Sequence, residues 1–283
     1  MKILICYFFL LLILCVVVIR YNITVSTKVK NVKYSKSKRK KYAYVFLSYG
    51  NPLPALKIAA SCRSMVNNSN IDVIIARLGL PIPKIPRGVQ QRILKHPKVK
   101  GHYQWKWSYA KFYPALWYEY QTVIVLDTDT ILFKAPNHFL YHGPAVNKVF
   151  APKAYWLENF YSSGFLVFTP CRNTTLDMKI RDVLLNGSVF KFEDMDWFNI
   201  YLKNNINGID SSYTMLTGEF DVNDRIYMYH AKKWNVSLKT VLKRTYLVHA
   251  VANWKPWKNS AIYKRNSMLK YIYNKWKNIK IDE

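Results

Sequence analysis

The chain has 283 residues, 51% of them apolar, and its 43 Lys and Arg against 16 Asp and Glu give a formal net charge of +27. That apolar share excludes a disordered polymer, and the length suits one large domain of about 200 to 250 residues with a short extension. The positive excess is mostly Lys, and no helix-turn-helix, zinc-finger or aromatic RNA-platform motif accompanies it, so no nucleic-acid partner is expected. A basic face that attracts a diphosphate, an anionic glycan or a lipid headgroup is the reading that the charge leaves open.

After a two-residue tail, Ile3 to Ile19 form an unbroken apolar run. It exceeds the roughly 7 to 15 residues of a cleaved signal core, and no small-x-small cleavage site follows it, which predicts a signal-anchor transmembrane helix over 3–19. Residues 20–41 are polar and basic and read as a stem. Asn-x-Ser/Thr triplets at Asn22, Asn67, Asn173, Asn186 and Asn235 favour a domain facing the ER or Golgi lumen, giving a single-pass type II membrane protein. The stem's cluster from Lys28 to Lys41 points the other way under the positive-inside rule. Cys6 and Cys15 fall in the anchor, leaving Cys62 and Cys171 for one disulfide at most.

The folded domain is expected over 42–259. "YAYVFLSYG" (Tyr42 to Gly50) reads as a strand, "LPALKIAASCRSMV" as a helix and "IDVIIARLG" as a second strand, an alternation that predicts a parallel sheet with crossover helices. Proline-rich Pro81 to Lys100 reads as a surface loop. "WKWSYAKFYPALWYEYQ" reads as a helix with Trp105, Tyr109, Phe112, Leu116 and Tyr120 near one face, as core. It leads into "VIVLDTDTILF" (Val123 to Phe133), a buried strand that stops at two aspartates. "SSGFLVFTP" follows as a strand, "EDMDWFNIYLKN" as a helix and "TYLVHAVANWKPW" as a strand ending in His249. Residues 260–283 carry a basic amphipathic helix whose Met268, Leu269, Ile272 and Trp276 dock on the domain.

Asp127 and Asp129, at i and i+2 of a strand end, can both reach one hard divalent cation, which can bridge a diphosphate. The competing aspartate-nucleophile phosphatase motif requires threonine four residues after the first aspartate, where this chain has Ile131. It also occupies the first strand of its domain, whereas here two strands and two helices are expected to come first.

Across residues 43 to 258 the chain resembles the glycogenin-like glycosyltransferases, family 8 of the retaining enzymes. Lys111 matches that family's donor-contacting lysine and "VIVLDTDTILF" its D-x-D strand. "YSSGFLVFTP" keeps the Ser163 and Gly164 of its asparagine-serine-glycine strand, with Ser162 in place of asparagine. "EDMDWFNIYL" keeps Asp194 and Asn199, with Met195 where glutamine is usual, and "VHAVANWKPW" places His249, Lys255 and Trp257 at the family's spacing.

The resemblance implies a single α/β domain of GT-A type, a Rossmann-like nucleotide-diphospho-sugar transferase with a mixed, mostly parallel sheet. It implies a metal-dependent enzyme moving a sugar from a nucleotide diphosphate, a UDP-sugar in the family, with retained configuration. The acceptor stays open among glycans, proteins and lipids. Asp127, Asp129 and His249 would hold Mn2+ or another divalent cation, which accepts both oxygen and nitrogen donors. Lys255 would charge-stabilise the diphosphate, and Lys111, Thr128, Ser163 and Gly164 would line the donor site. Leu47 and Ser48 would cradle the base, although the family's stacking tyrosine has no counterpart among Gly50, Asn51 and Pro52. Asp194 would stand at the anomeric carbon, with Asp196 off register. Ser162 and Met195 replace two amides that would bond sugar hydroxyls, so glucose does not follow as the sugar. The alternative is a non-catalytic membrane-anchored glycoprotein on the same scaffold.

Overall fold

Strand β1 (Lys40–Ser48) is followed by helix α1 (Leu53–Met65) and β2 (Ile71–Leu78), as the alternating pattern predicts. The computed structural model describes residues 40–101, 106–186, 189–190, 193–251, 254–258 and 261–281. The expected anchor and most of the stem, the sequon at Asn22 and Trp105 lie outside the described residues. Among the described residues no helix is long and apolar enough to cross a membrane.

The chain then forms β3 (Gln90–Leu94), β4 (Lys100–Gly101), a 3-10 helix (Ser108–Leu116), β5 (Tyr120–Leu126), β6 (Thr130–Leu132), α2 (His138–Tyr141), β7 (Val149–Pro152) and β8 (Phe165–Phe168). Next come α3 (Thr175–Leu185), β9 (Val189–Phe190), α4 (Asp194–Tyr201), β10 (Ile206–Ile209), β11 (Met215–Leu216), α5 (Tyr229–Trp234), α6 (Leu238–Arg244), β12 (Leu247–His249) and α7 (Ser267–Lys277). Seven strands make the main sheet in the order β10-β7-β8-β5-β1-β2-β3, antiparallel only where β8 meets β5 and β7. A three-stranded sheet, β11-β12-β6, lies beside it, and β4 pairs with β9.

The near-continuous apolar runs follow from burial of both faces of the main sheet. Ala43, Val45, Leu47, Val123 and Val125 face one core with Phe112, Trp197 and Phe198. Tyr44, Phe46, Ile124 and Leu126 face another with Ile58, Cys62 and Phe165. A third core joins Ile131 and Val248 to Leu269, Ile272 and Trp276 of α7, so the C-terminal helix docks on the domain through its apolar stripe. Cys62 and Cys171 are both free thiols.

Three local expectations are corrected. The segment Pro81 to Lys100 contains β3, which extends the sheet in parallel beside β2. The aromatic segment forms a 3-10 helix only to Leu116, and Tyr120 already belongs to β5. Pro114, which lacks a backbone donor and crowds the preceding turn, sits inside that helix and disfavours a longer α-helix. The aspartate segment is two strands in two sheets, with Asp127, Thr128 and Asp129 forming the corner between them.

Candidate active site

The corner is fixed by backbone bonds on both sides. Asp127 N donates to Gly164 O (3.0 Å), the Thr130 hydroxyl donates to Asp127 O (2.6 Å), and Ala250 N donates to Asp129 O (2.7 Å). Because β12 runs antiparallel to β6 with His249 opposite Thr130, the imidazole arrives beside both aspartates. His249 Nε2 lies 2.9 Å from Asp129 Oδ1 and 3.9 Å from Asp127 Oδ2. Its Nδ1 is buried without a hydrogen-bond partner, and the Thr217 hydroxyl donates to its backbone carbonyl at 3.3 Å.

The potential ligand atoms of Asp127, Asp129 and His249 all lie within 4.8 Å of one another. Two carboxylates and one imidazole form a donor set that suits manganese and comparable divalent cations, so these residues fit such a group. Lys255 Nζ, 2.7 Å from Asp129 Oδ2, completes the outer side of the cluster.

Lys111 is 4% exposed, and its ammonium lies 2.8 Å from Asp127 Oδ1 and 2.9 Å from Asp194 Oδ2, joining the two carboxylates. Ser163 donates its hydroxyl proton to Asp194 Oδ2 at 2.7 Å, so it too holds Asp194. Gly164 is dictated by space, because a Cβ there would stand 2.9 Å from His249 Cε1 and 3.2 Å from Asp127 Oδ2. Thr128 is partly exposed on the corner.

Electrostatics separate the acids. Burial raises the Asp127 carboxyl, and Asp129 adds to this against the pull of Lys111. Burial would raise Asp129 as well, but His249 and Lys255 bring it well below the ordinary carboxylate range. For Asp194, burial is outweighed by Lys111 together with bonds from Ser108 and Ser163, and its carboxyl is lowered. Burial would lower the His249 imidazole, yet the Asp129 carboxylate raises it above its ordinary value.

Other expected residues lie nearby. Leu47 is packed in the core, and the Ser48 hydroxyl accepts from Arg77 at 3.0 Å. Asp196 caps α4 by accepting from Glu193 N at 3.3 Å. The Ser162 hydroxyl accepts from Gly164 N at 3.2 Å, and the Asn199 amide clamps Tyr161 through N (2.7 Å) and O (2.9 Å). Sequence reasoning missed Tyr49 and Arg77. Tyr49 is 42% exposed at the end of β1, and its phenol is raised by burial and by the negative charge of Asp127. Arg77 pins the loop carrying it, donating to Gly50 O (3.0 Å) and Leu80 O (3.1 Å) as well as to Ser48. The available signal was position: both end strands whose carboxyl edge holds the aspartates.

No protein-family model matches the chain, and no curated protein matches it by sequence. Solved structures do match in fold. The bifunctional glycosyltransferase WbbM in its apo form aligns with a TM-score of 0.62 at 16% identity over 89% of this chain, which spans 51% of that protein's length. The galactosyltransferase LgtC, solved with donor and acceptor sugar analogs, aligns at 0.56 with 12% identity, covering 84% of this chain and 96% of LgtC. GlyE of Streptococcus pneumoniae TIGR4, a glycosyltransferase, aligns at 0.52 with 15% identity over 83% of this chain and 63% of its own. The chain therefore has the α/β fold of GT-A glycosyltransferases, with a mixed, mostly parallel sheet.

Proposed function

We propose that this protein is a metal-dependent, retaining glycosyltransferase of the glycogenin-like type, moving a sugar from a nucleotide diphosphate to an acceptor. The observation that carries the reading is the convergence of Asp127, Asp129 and His249 with Lys255 and Asp194 around one corner of a GT-A fold. A divalent cation held by Asp127, Asp129 and His249, manganese by preference, would supply Lewis-acid stabilisation of the charge that builds on the departing β-phosphate.

The chain's own groups do the rest. Lys255 is partly exposed and offers an ammonium to the diphosphate without needing bidentate geometry. Lys111 and Ser163 fix the Asp194 carboxylate and keep it ionised. Asp194 then either steadies an oxocarbenium-like transition state or attacks the anomeric carbon, with the β-phosphate leaving. Tyr49 supplies the aromatic face for the donor's base, UDP being the expected carrier, that Gly50, Asn51 and Pro52 do not. Ser162 and Met195, in place of two amides, favour either a sugar other than the glucose of the family or a weaker grip on glucose.

Nucleoside-diphosphate release from a panel of nucleotide sugars tests this: one donor is turned over with manganese, and chelator abolishes the release. Release that is unaffected by chelator would remove the cation from the reading. A lumen-facing, membrane-anchored placement belongs to the same proposal, supported by the exposure of Asn67, Asn173, Asn186 and Asn235. A glycosidase-sensitive mobility shift of the full-length chain expressed in eukaryotic cells is expected, and a chain that never carries glycan contradicts the placement.

A further inference from the structure

An open cleft of about 820 Å3 lies at the edge of the main sheet opposite the acid cluster, lined among others by Ser61, Arg63, Arg87, Lys275 and Lys280. Its place follows from the topology. Helix α1 starts after the carboxyl end of β1 and runs back, so that in its last turn Arg63 Nη1 donates to the carbonyl of Ile71, the first residue of β2, at 3.4 Å. Ile71 pairs with Tyr42 near the start of β1, whereas Asp127 follows the end of β5.

Three separate elements bring basic residues to the lining of this cleft, with the Lys275 ammonium 5.1 Å from the centroid of the Phe133 ring and the Arg63 guanidinium also bonded to the Ile71 carbonyl. Arg63 comes from α1, Arg87 from a turn closed by Val89 N donating to Pro86 O at 3.0 Å, and Lys275 and Lys280 from the C-terminal segment. The geometry is built. Gly88 takes φ +74°, and a Cβ there would meet Arg63 Nε at 3.0 Å, so the turn leaves room for the guanidinium. Lys57 fastens the C-terminal segment by donating to the carbonyls of Trp276 (3.2 Å), Lys277 (2.9 Å) and Ile279 (3.1 Å). No Asp or Glu is among the lining residues. Burial lowers the Lys275 ammonium.

We propose that the cleft is a binding site for an anionic phosphate group, separate from the donor site. Two sources carry that chemistry: a free oligophosphate and the headgroup of an anionic phospholipid.

The test uses the full-length chain in neutral detergent and compares it with the double variant Arg87→Glu/Lys280→Glu, both positions being exposed. Lys275→Met serves as a milder second variant. Each is titrated with inorganic tripolyphosphate in chelator, and with mixed micelles containing phosphatidylserine or phosphatidylcholine alone. The double variant is expected to bind tripolyphosphate about tenfold or more weakly with an unchanged unfolding temperature, Lys275→Met falling between it and the parent. A matching loss on phosphatidylserine micelles, absent on phosphatidylcholine, assigns the headgroup. A loss on tripolyphosphate alone assigns a free phosphate. Equal binding by parent and variants on both probes overturns the proposal and leaves the cleft a solvated basic surface.

Discussion

Replacing Asp129 with Asn lowers nucleoside-diphosphate release by about 10^3-fold or more while the domain stays folded. The expectation follows from the number of contacts that converge on this carboxylate. Its two oxygens face His249 Nε2 at 2.9 Å and Lys255 Nζ at 2.7 Å, and it is one of three side chains that can share a cation. The amide of Asn keeps the volume but brings no charge, so the site loses cation affinity and the anchor for Lys255 together. Transition-state charge stabilisation of this kind is worth several kcal/mol, and each 1.36 kcal/mol is about tenfold in rate. Folding is spared because Asp129 and Lys255 are both partly exposed and Lys255 can rehydrate. In a thermal melt the parent gains stability with added manganese and Asp129→Asn does not. Retention of full, manganese-dependent release by the variant would remove Asp129 from the site.

Lys111→Met has its largest effect on stability. The ammonium is buried between Asp127 and Asp194, whose side chains are 22% and 10% exposed. Removing one partner of a buried ion pair costs about 3 to 5 kcal/mol, because uncompensated charge stays behind. For a domain of this size that corresponds to a fall of about 6 to 20 °C in unfolding temperature. The double variant Lys111→Met/Asp194→Asn recovers part of that loss, since it removes one of the two stranded carboxylates. Equal destabilisation of single and double variants would mean that Lys111 matters for packing alone. Transfer activity is lost in both, because Asp194 is either misplaced or absent.

The comparison of sequence and structure turns on how far apart the partners lie. β1, α1 and β2 were legible because each has a clear period and their strands are buried on both faces, so composition alone marks them. β3, β7 and β10 were not, because they are short, flanked by proline or polar residues and defined by the strand beside them. The aromatic segment misled for a related reason: its periodicity suited an α-helix, while Pro114 and the demand of β5 for Tyr120 decided otherwise.

By itself the sequence determined the sheet-forming runs and both aspartates, and its resemblance to the glycogenin-like glycosyltransferases singled out His249 and Lys255 as their companions. Only the tertiary structure decided what those residues touch. Lys111 and Asp127 are 16 residues apart, His249 and Asp129 are 120 apart, and Lys255 and Asp129 are 126 apart. No local pattern encodes such pairings, because they arise from the corner between two sheets and from the antiparallel register of β6 and β12. The inward turn of Lys111, the place of Tyr49 beside the acids and the basic cleft between α1 and the C-terminal segment all belong to that second level. There, packing and the cost of leaving buried charge unpaired select the partners.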